Sequence, residues 1–118
     1  MVKFRFQDLE IWKDAIAISD KLLNIADQLA SVKLYRFSEQ LRGATMSISN
    51  NIAEGSGSVS DKDFRNFLNI ARRSVFENVN ILILLERRKL IKDRELSLLL
   101  EELDHLSRKI FKFRQSLK

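Results

Sequence analysis

The feature that most constrains the fold is an unbroken apolar seam in the last quarter of the chain. Apolar residues recur there at alternating steps of three and four: Leu96, Leu99, Leu103, Leu106, Ile110, Phe113 and Leu117. Residues at these steps share one face of an α-helix, so the seam predicts a helix over 94–117 with Asp93 as its N-cap. Such a face must be buried against another element, and the seam therefore predicts a helical bundle.

Three earlier segments have the same periodicity and predict helices over 8–31, 34–54 and 61–89. The first face consists of Leu9, Trp12, Ile16, Leu23, Ala26 and Ala30, widened by Ala15, Leu22, Ile25 and Leu29. The second continues from Phe37 through Leu41, Ala44 and Ile48, and the third holds Phe64, Leu68, Ala71, Val75, Asn78 or Val79, and Leu82. Asp8 and Ser60 are the predicted N-caps. Because the connections are short, residues 1–118 are expected to form one all-α domain, an antiparallel up-down-up-down four-helix bundle.

The scarcity of turn residues supports this fold class. The chain has no proline and only three glycines, Gly43, Gly55 and Gly57. A β or α/β protein of 118 residues would need more turn residues. The absence of cysteine excludes a disulfide framework and a thiolate metal site, and it agrees with a reducing cytoplasm.

Charge and hydropathy limit the class of partner. The formal net charge of +5 favours a polyanionic partner, although the many acidic residues also fit an ordinary solvated surface. The longest apolar run, residues 81–85, is too short to span a bilayer, and the opening MVKFRFQDLE lacks the apolar core of a signal peptide. We therefore expect a cytoplasmic protein with no membrane partner.

The run at 81–85 is apolar on every side of its helix. A single bundle buries one stripe of a helix, so the remaining apolar side chains predict a contact with another subunit. The alternative is that the lead segment 1–7, which contains Phe4 and Phe6, folds over them.

Residues 41–57, LRGATMSISNNIAEGSG, combine an apolar face with a second line of small or polar side chains. That line consists of Gln40, Gly43, Ser47, Asn50 and Glu54. Small side chains allow another helix to come close, at a cost in helix propensity, so this line predicts a packing or recognition face. The GSGS that begins at Gly55 is expected to end the helix. A carboxylate at a helix C-terminus is disfavoured by the dipole, so Glu54 is expected to have a partner, either an arginine or the start of the third helix.

Two asparagines fall on predicted apolar faces. Buried amides need hydrogen-bond partners, so Asn51 and Asn78 are predicted to form a polar layer that fixes helix register, with Glu54 or Glu77 as a further member. The alternative is a polar ligand pocket.

Nothing in the sequence points to catalysis, a cofactor or a metal. The only histidine, His105, stands beside Asp104 on a predicted helix, and a solvated position explains it. No serine has a base in motif spacing, and no P-loop or dinucleotide fingerprint occurs. We expect no enzyme activity.

The basic residues are the better functional candidates. Two clusters are predicted to bind nucleic-acid phosphates without reading sequence: Arg36, Arg42, Arg65, Arg72 and Arg73 on the second and third helices, and Arg108, Lys109 and Lys112 on the fourth. Few aromatic residues are interleaved with them, so base stacking is not expected. The alternative is a solvated surface with intrahelical ion pairs.

The segments LRGATMSISNNIAEGSG and SDKDFRNFLNIARRSVFENV, together with DLEIWKDAIAISDKLLNIA, resemble the four-helix bundle proteins encoded in intervening sequences of bacterial 23S rRNA genes. The most specific part is 51–55, Asn-Ile-Ala-Glu-Gly. This chain has Ser49 where the family often has proline, and Gly57-Ser58 where it often has Gly-Arg, so one basic group is missing at the turn.

The resemblance implies a homopentamer. It also implies a relation to the accessory variability protein of diversity-generating retroelements, a similar bundle that binds nucleic acid and a reverse transcriptase. The expectation is an oligomeric scaffold that binds structured RNA or DNA, with a protein-interaction scaffold as the alternative.

Overall fold

A computed structural model describes residues 1–118, and all of its regular structure is helical. A short 3₁₀ helix, Arg5–Asp8, precedes α1 (Glu10–Ser31), α2 (Tyr35–Ser56), α3 (Asp61–Arg87) and α4 (Asp93–Ser116). The all-α prediction is confirmed, because the chain forms four long helices and no strand. None of these helices combines the length and the hydropathy that a bilayer crossing requires.

Each helix packs against its neighbour in the chain, and α4 also packs against α1. Near the start of α2, the Ser38 hydroxyl donates to the Ala26 carbonyl near the end of α1, at 2.8 Å. In the first half of α2, the Thr45 hydroxyl donates to Oδ1 of Asn78 in the second half of α3, at 3.0 Å. The start of α2 therefore lies against the end of α1, and the middle of α2 lies against the second half of α3.

The contact between α1 and α4 completes the bundle. Lys21 Nζ, in the middle of α1, lies 2.8 Å from a carboxylate oxygen of Glu102 in α4. Asn78, in the second half of α3, bonds to Ala44 in the first half of α2, whereas Gly55 near the end of α2 lies beside Phe67 near the start of α3. The start of α2 and the end of α3 are therefore neighbours, and the connections 32–34 and 88–92 lie at one end of the bundle. The connection 57–60 lies at the other end.

The core follows the predicted stripes of α3 and α4 more closely than that of α1. All the predicted α3 positions are buried except Val79, and the α4 seam is buried as far as Ile110. In α1 the buried line is Ile11, Ala15, Ile18, Leu22, Ile25 and Leu29. The predicted line through Trp12 and Ile16 lies at the edge of the core, where these two side chains are half-buried. Because α1 packs against both α2 and α4, the middle of its wide stripe is buried rather than its bulkiest edge.

Two of the predicted helix caps are wrong. Asp8 belongs to the preceding 3₁₀ turn and pairs with Lys3 at 2.7 Å, while α1 begins after Leu9. Asp93 is already the first helical residue of α4. The Ser60 cap is confirmed, since its hydroxyl accepts the N–H of Asp63 at 3.2 Å.

The prediction that the GSGS at 55–58 ends the second helix is confirmed, because the last residue of α2 is Ser56 and its C-cap is Gly57. Gly55 itself is the next-to-last residue of the helix. A Cβ at Gly55 would stand 2.7 Å from Cβ of Phe67 and 2.8 Å from Cδ1 of Phe64, so only glycine lets α3 approach this closely. A Cβ at Gly43 would meet nothing within 4 Å. The line of small residues that includes Gly43 therefore faces open space at that glycine, and the close approach occurs at Gly55, which was not part of the predicted line.

The apolar run at 81–85 is divided between the core and the surface. Ile81, Leu82 and Leu85 are buried, whereas Ile83 and Leu84 are 38% and 46% exposed. The lead segment cannot cover them, because it packs at the other end, where Arg5 Nη1 lies 3.4 Å from the Ser56 carbonyl. The alternative that the lead folds over this run is therefore wrong.

Candidate nucleic-acid interface

Asn78 is fully buried and satisfied at the α2–α3 contact. Its Oδ1 accepts from the Thr45 hydroxyl, and its Nδ2 donates to the carbonyls of Ala44 at 2.9 Å and Ser74 at 2.7 Å. An amide with all of these partners specifies the alignment of the two helices, because a shift of one residue would leave buried polar groups unpaired.

Asn51 joins the same row of hydrogen bonds through two serines. Its Nδ2 donates to the carbonyl and hydroxyl of Ser47, and the Ser47 and Ser74 hydroxyls are 2.8 Å apart. Glu54 and Glu77 lie outside this row on the exposed surface, and Glu54 forms no ion pair. The serines were not predicted, although the small-residue line of α2 contains Ser47.

Three of the predicted basic residues are neutralised within the chain. Lys109 binds Glu10 at 2.8 Å and Asp14 at 2.9 Å, and these hydrogen bonds, first to Glu10 and then to Asp14, raise the pKa of Lys109 to about 12. Arg42 pairs with Asp27 at 2.6 Å. Arg108 pairs similarly with the aspartate four residues before it. Each of these three cations therefore already has a carboxylate partner within the chain.

Two further predicted residues serve as packing groups. Arg65 Nη1 lies 3.4 Å from the Leu117 carbonyl, at the end of α4. The guanidinium of Arg72 stands 5.2 Å from the ring centre of Phe76 and 5.3 Å from that of Phe111, and its buried Nε has no hydrogen-bond partner.

The remaining predicted residues, Arg36, Arg73 and Lys112, are exposed and form no ion pair. They do not share a face, because Arg36 is in the first turn of α2 and Lys112 is in the last turns of α4, at opposite ends. The structure therefore does not bring the eight predicted basic residues together.

A different set of cations does converge, at the end formed by the connections 32–34 and 88–92. We call it the basic end, and it consists of Lys33, Arg36, Arg87, Arg88, Lys89, Lys92 and Arg94. All seven are exposed and none forms an ion pair. The two segments that contain these seven cations, 31–40 and 86–95, hold only four acidic residues. The sequence signal was present, since five of the eight residues in 87–94 are basic, but these residues were not among the predicted phosphate-binding residues.

Two lysines of the basic end occupy the left-handed backbone region, where glycine is preferred. Lys33 has φ 67° and Lys89 has φ 60°. Each follows the C-cap residue of a helix, Val32 or Arg88, in a Schellman arrangement. The next N–H bonds back five residues, from Leu34 to Leu29 and from Leu90 to Leu85. A non-glycine residue in this conformation is disfavoured by about 1 kcal/mol. Both helices thus end on a lysine where a glycine would be more stable.

Aromatic and aliphatic side chains lie at the surface along the contact of α3 with α4, beside two arginines. We call this the α3–α4 surface, and it consists of Arg72, Arg73, Phe76, Val79, Leu100 and Phe111. Phe76 is 57% and Phe111 43% exposed. A shallow groove of about 240 Å³ runs beside them.

His105 lies in an open groove of about 360 Å³ between α1 and α4. The nearby carboxylates of Asp14 and Glu102 are bound by lysines. No group of three or more histidine, cysteine, aspartate or glutamate side chains is placed to hold a metal ion.

Comparisons with known proteins agree with this architecture. The family model described as 23S rRNA-intervening sequence protein matches residues 7–112. A crystal structure of a protein with unknown function from the S23 ribosomal protein family of Bacteroides thetaiotaomicron has a TM-score of 0.83 at 22% identity, and the match covers 88% of this chain and 97% of that one. At this identity the likeness concerns the fold alone. No curated protein matches the sequence.

Proposed function

The chain belongs to the 23S rRNA-intervening sequence protein family, and we propose that it is a non-enzymatic, cytoplasmic, oligomeric up-down-up-down bundle that binds structured RNA or DNA through backbone phosphates. The observation that carries this proposal is the basic end, where seven exposed cations without ion pairs converge. The first turn of α2 adds to the positive potential there, because it contains no acidic residue and its N-cap, Leu34, offers no side-chain acceptor.

The salt dependence of nucleic-acid binding follows from the number of cations that contact phosphates. Each phosphate contact contributes about 0.9 to the slope of log affinity against log salt for duplex DNA. If about five of the seven cations contact phosphates, affinity falls roughly 500-fold between about 50 and 200 mM salt. A protein-only scaffold has no such dependence.

The test is fluorescence anisotropy with a labelled RNA hairpin and duplex DNA over this salt range. The double variant Arg88→Gln and Lys89→Gln is expected to bind every probe more weakly. The slope of its log affinity against log salt should be lower by about two. The matched control is the pair Lys13→Gln and Lys62→Gln, which removes the same charge from exposed positions at the opposite end. Equal losses in the two pairs, or no binding at about 50 mM salt, would refute the proposal.

The α3–α4 surface supports self-association. Its Arg73, which forms no ion pair, and its exposed Phe76 complement a second surface of the same chain, on α4. There Leu98 is 57% exposed, and Glu95 and Glu101 form no ion pair. A contact between two different surfaces of identical subunits is head-to-tail, and it closes into a ring when the rotation that relates neighbouring subunits divides a full turn. The family resemblance makes five the expected number of subunits.

Sedimentation equilibrium tests this assembly. Phe76→Ser is expected to dissociate the oligomer without unfolding the subunit, because the ring is largely exposed within one chain. Met46→Ser is the control, since Met46 is 52% exposed on α2 and lies outside the α3–α4 surface. An unchanged mass for Phe76→Ser would contradict the assignment of the interface.

The second candidate function is a protein-interaction scaffold. The open space beside Gly43 supports it, because the small-residue line of α2 has room for another helix. By analogy with the accessory variability protein, a reverse transcriptase is one candidate partner. Protein binding that is insensitive to salt, in the absence of nucleic-acid binding, would favour this function.

A further inference from the structure

We propose that Tyr35 is a stacking platform for an unpaired base, so that the basic end binds nucleic acid with unpaired nucleotides, such as a hairpin loop, in preference to a continuous duplex. This inference rests on the proposed function and specifies the class of its ligand. It reverses the sequence-based expectation that stacking plays no part.

Tyr35 differs from the other exposed aromatic residues in having no partner. Four aromatic side chains are more than 40% exposed: Phe4, Tyr35, Phe76 and Phe111. The ring of Phe4 lies 6.1 Å from that of Phe6, and the two phenylalanines of the α3–α4 surface flank a guanidinium. Tyr35, at 60% exposure, packs on no ring or cation, and its hydroxyl forms no hydrogen bond. Its aromatic face is therefore available to a ligand.

The backbone holds Tyr35 rigidly within the basic end. It is the first residue of α2 and follows Leu34, whose side chain packs against the core and whose N–H bonds the Leu29 carbonyl at 2.9 Å. Lys33 precedes this pair and Arg36 follows it. A rigid aromatic ring with only two rotatable bonds loses little conformational entropy when it binds.

The chemistry of the neighbouring groups matches one nucleotide and its flanking phosphates. An unpaired base has a free π-face that can stack on tyrosine, while Lys33 and Arg36 can bind the phosphates on either side. Bases inside a duplex are already stacked and cannot reach the ring. The basic end as a whole therefore binds both kinds of probe, and the tyrosine adds affinity only for unpaired nucleotides.

The experiment compares an RNA hairpin that has an unpaired loop with a long RNA duplex of the same composition. At equal salt the unchanged protein is expected to prefer the hairpin by about 5-fold to 100-fold, the range that stacking of one base contributes. Tyr35→Ala should abolish the preference and leave duplex binding unchanged. Tyr35→Trp should retain it, and in a Trp12→Phe background the single tryptophan fluorescence should be quenched by the hairpin and not by the duplex.

The outcomes separate this inference from the proposed function. If the unchanged protein binds both probes equally, or if Tyr35→Ala weakens both by the same factor, the stacking role is refuted. Lys89→Gln then tests whether the basic end binds phosphates at all. If this variant loses binding to both probes, the proposed function stands although the stacking role does not. If neither probe binds at about 50 mM salt, both proposals fall.

Discussion

Replacing each of two glycines of α2 by alanine should change stability in opposite directions. Both Gly43 and Gly55 belong to α2 and neither has a positive φ. Alanine gains about 1 kcal/mol of helix propensity at Gly43, in the helix interior, and no more than that at Gly55, the next-to-last residue of the helix. At Gly43 nothing lies within 4 Å of the new Cβ, and the full gain is expected. At Gly55 the new Cβ stands 2.7 Å from Cβ of Phe67, a backbone-attached atom that no rotamer change can move away.

The magnitude at Gly55 follows from the overlap. An ordinary carbon–carbon contact is about 3.5 to 4 Å, so α2 and α3 must separate locally by roughly 1 Å. Overpacking of this kind costs up to about 3 kcal/mol, which leaves a net loss of about 2 kcal/mol after the propensity gain. For a domain of this size 1 kcal/mol corresponds to about 4 °C, so Tm should fall by about 8 °C for Gly55→Ala and rise by about 4 °C for Gly43→Ala.

The assay is thermal and urea unfolding followed by circular dichroism at one protein concentration, since assembly would otherwise change the apparent stability. The two variants are each other's control, because the chemical change and the helix are the same. A Gly55→Ala protein as stable as the unchanged chain would refute the close-approach argument.

The remaining predictions concern the hydrogen bonds of Asn78, the lysine at the end of α3 and the ion pair of Lys109. Asn78→Ala should cost about 1 to 3 kcal/mol in urea unfolding, and part of that loss should disappear in a Thr45→Val background, because Thr45 then leaves no unpaired hydroxyl. Lys89→Gly should raise stability by about 1 kcal/mol while weakening nucleic-acid binding, and equal binding would remove Lys89 from the interface. Because Glu10 and the neighbouring aspartate raise the folded-state pKa of Lys109 from 10.5 to about 12, the stabilisation from this ion pair should be complete below pH 10.5 and lost as pH rises through about 12. The difference in Tm between Lys109→Met and the unchanged protein should therefore shrink over that range.

Helix positions were predictable because helical periodicity is local. The α4 seam from Leu96 to Ile110 required only the spacing of apolar residues along one segment. The caps at Asp8 and Asp93 were not predictable in the same way, because an aspartate near a helix start can pair elsewhere or enter the first turn. The α1 stripe was misplaced toward Trp12, since a wide apolar face does not reveal which of its lines two neighbouring helices will bury.

The candidate site was less predictable, because charge alone does not distinguish free cations from paired ones. Lys109 resembles Lys89 in sequence, yet carboxylates from α1, about a hundred residues earlier in the chain, neutralise Lys109 and leave Lys89 unpaired. Long-range pairing of this kind depends on which helices become neighbours.

The sequence by itself determined the fold class, the four helices and the basic balance, because propensity, periodicity and charge are properties of short segments. Only the tertiary structure decided how those segments act together. It brought the two connections at 32–34 and 88–92 to one end, which turned two separate groups of cations into a single surface. It also made Gly55 a contact point between two helices, since the need for glycine there arises from the approach of Phe67 on a different helix.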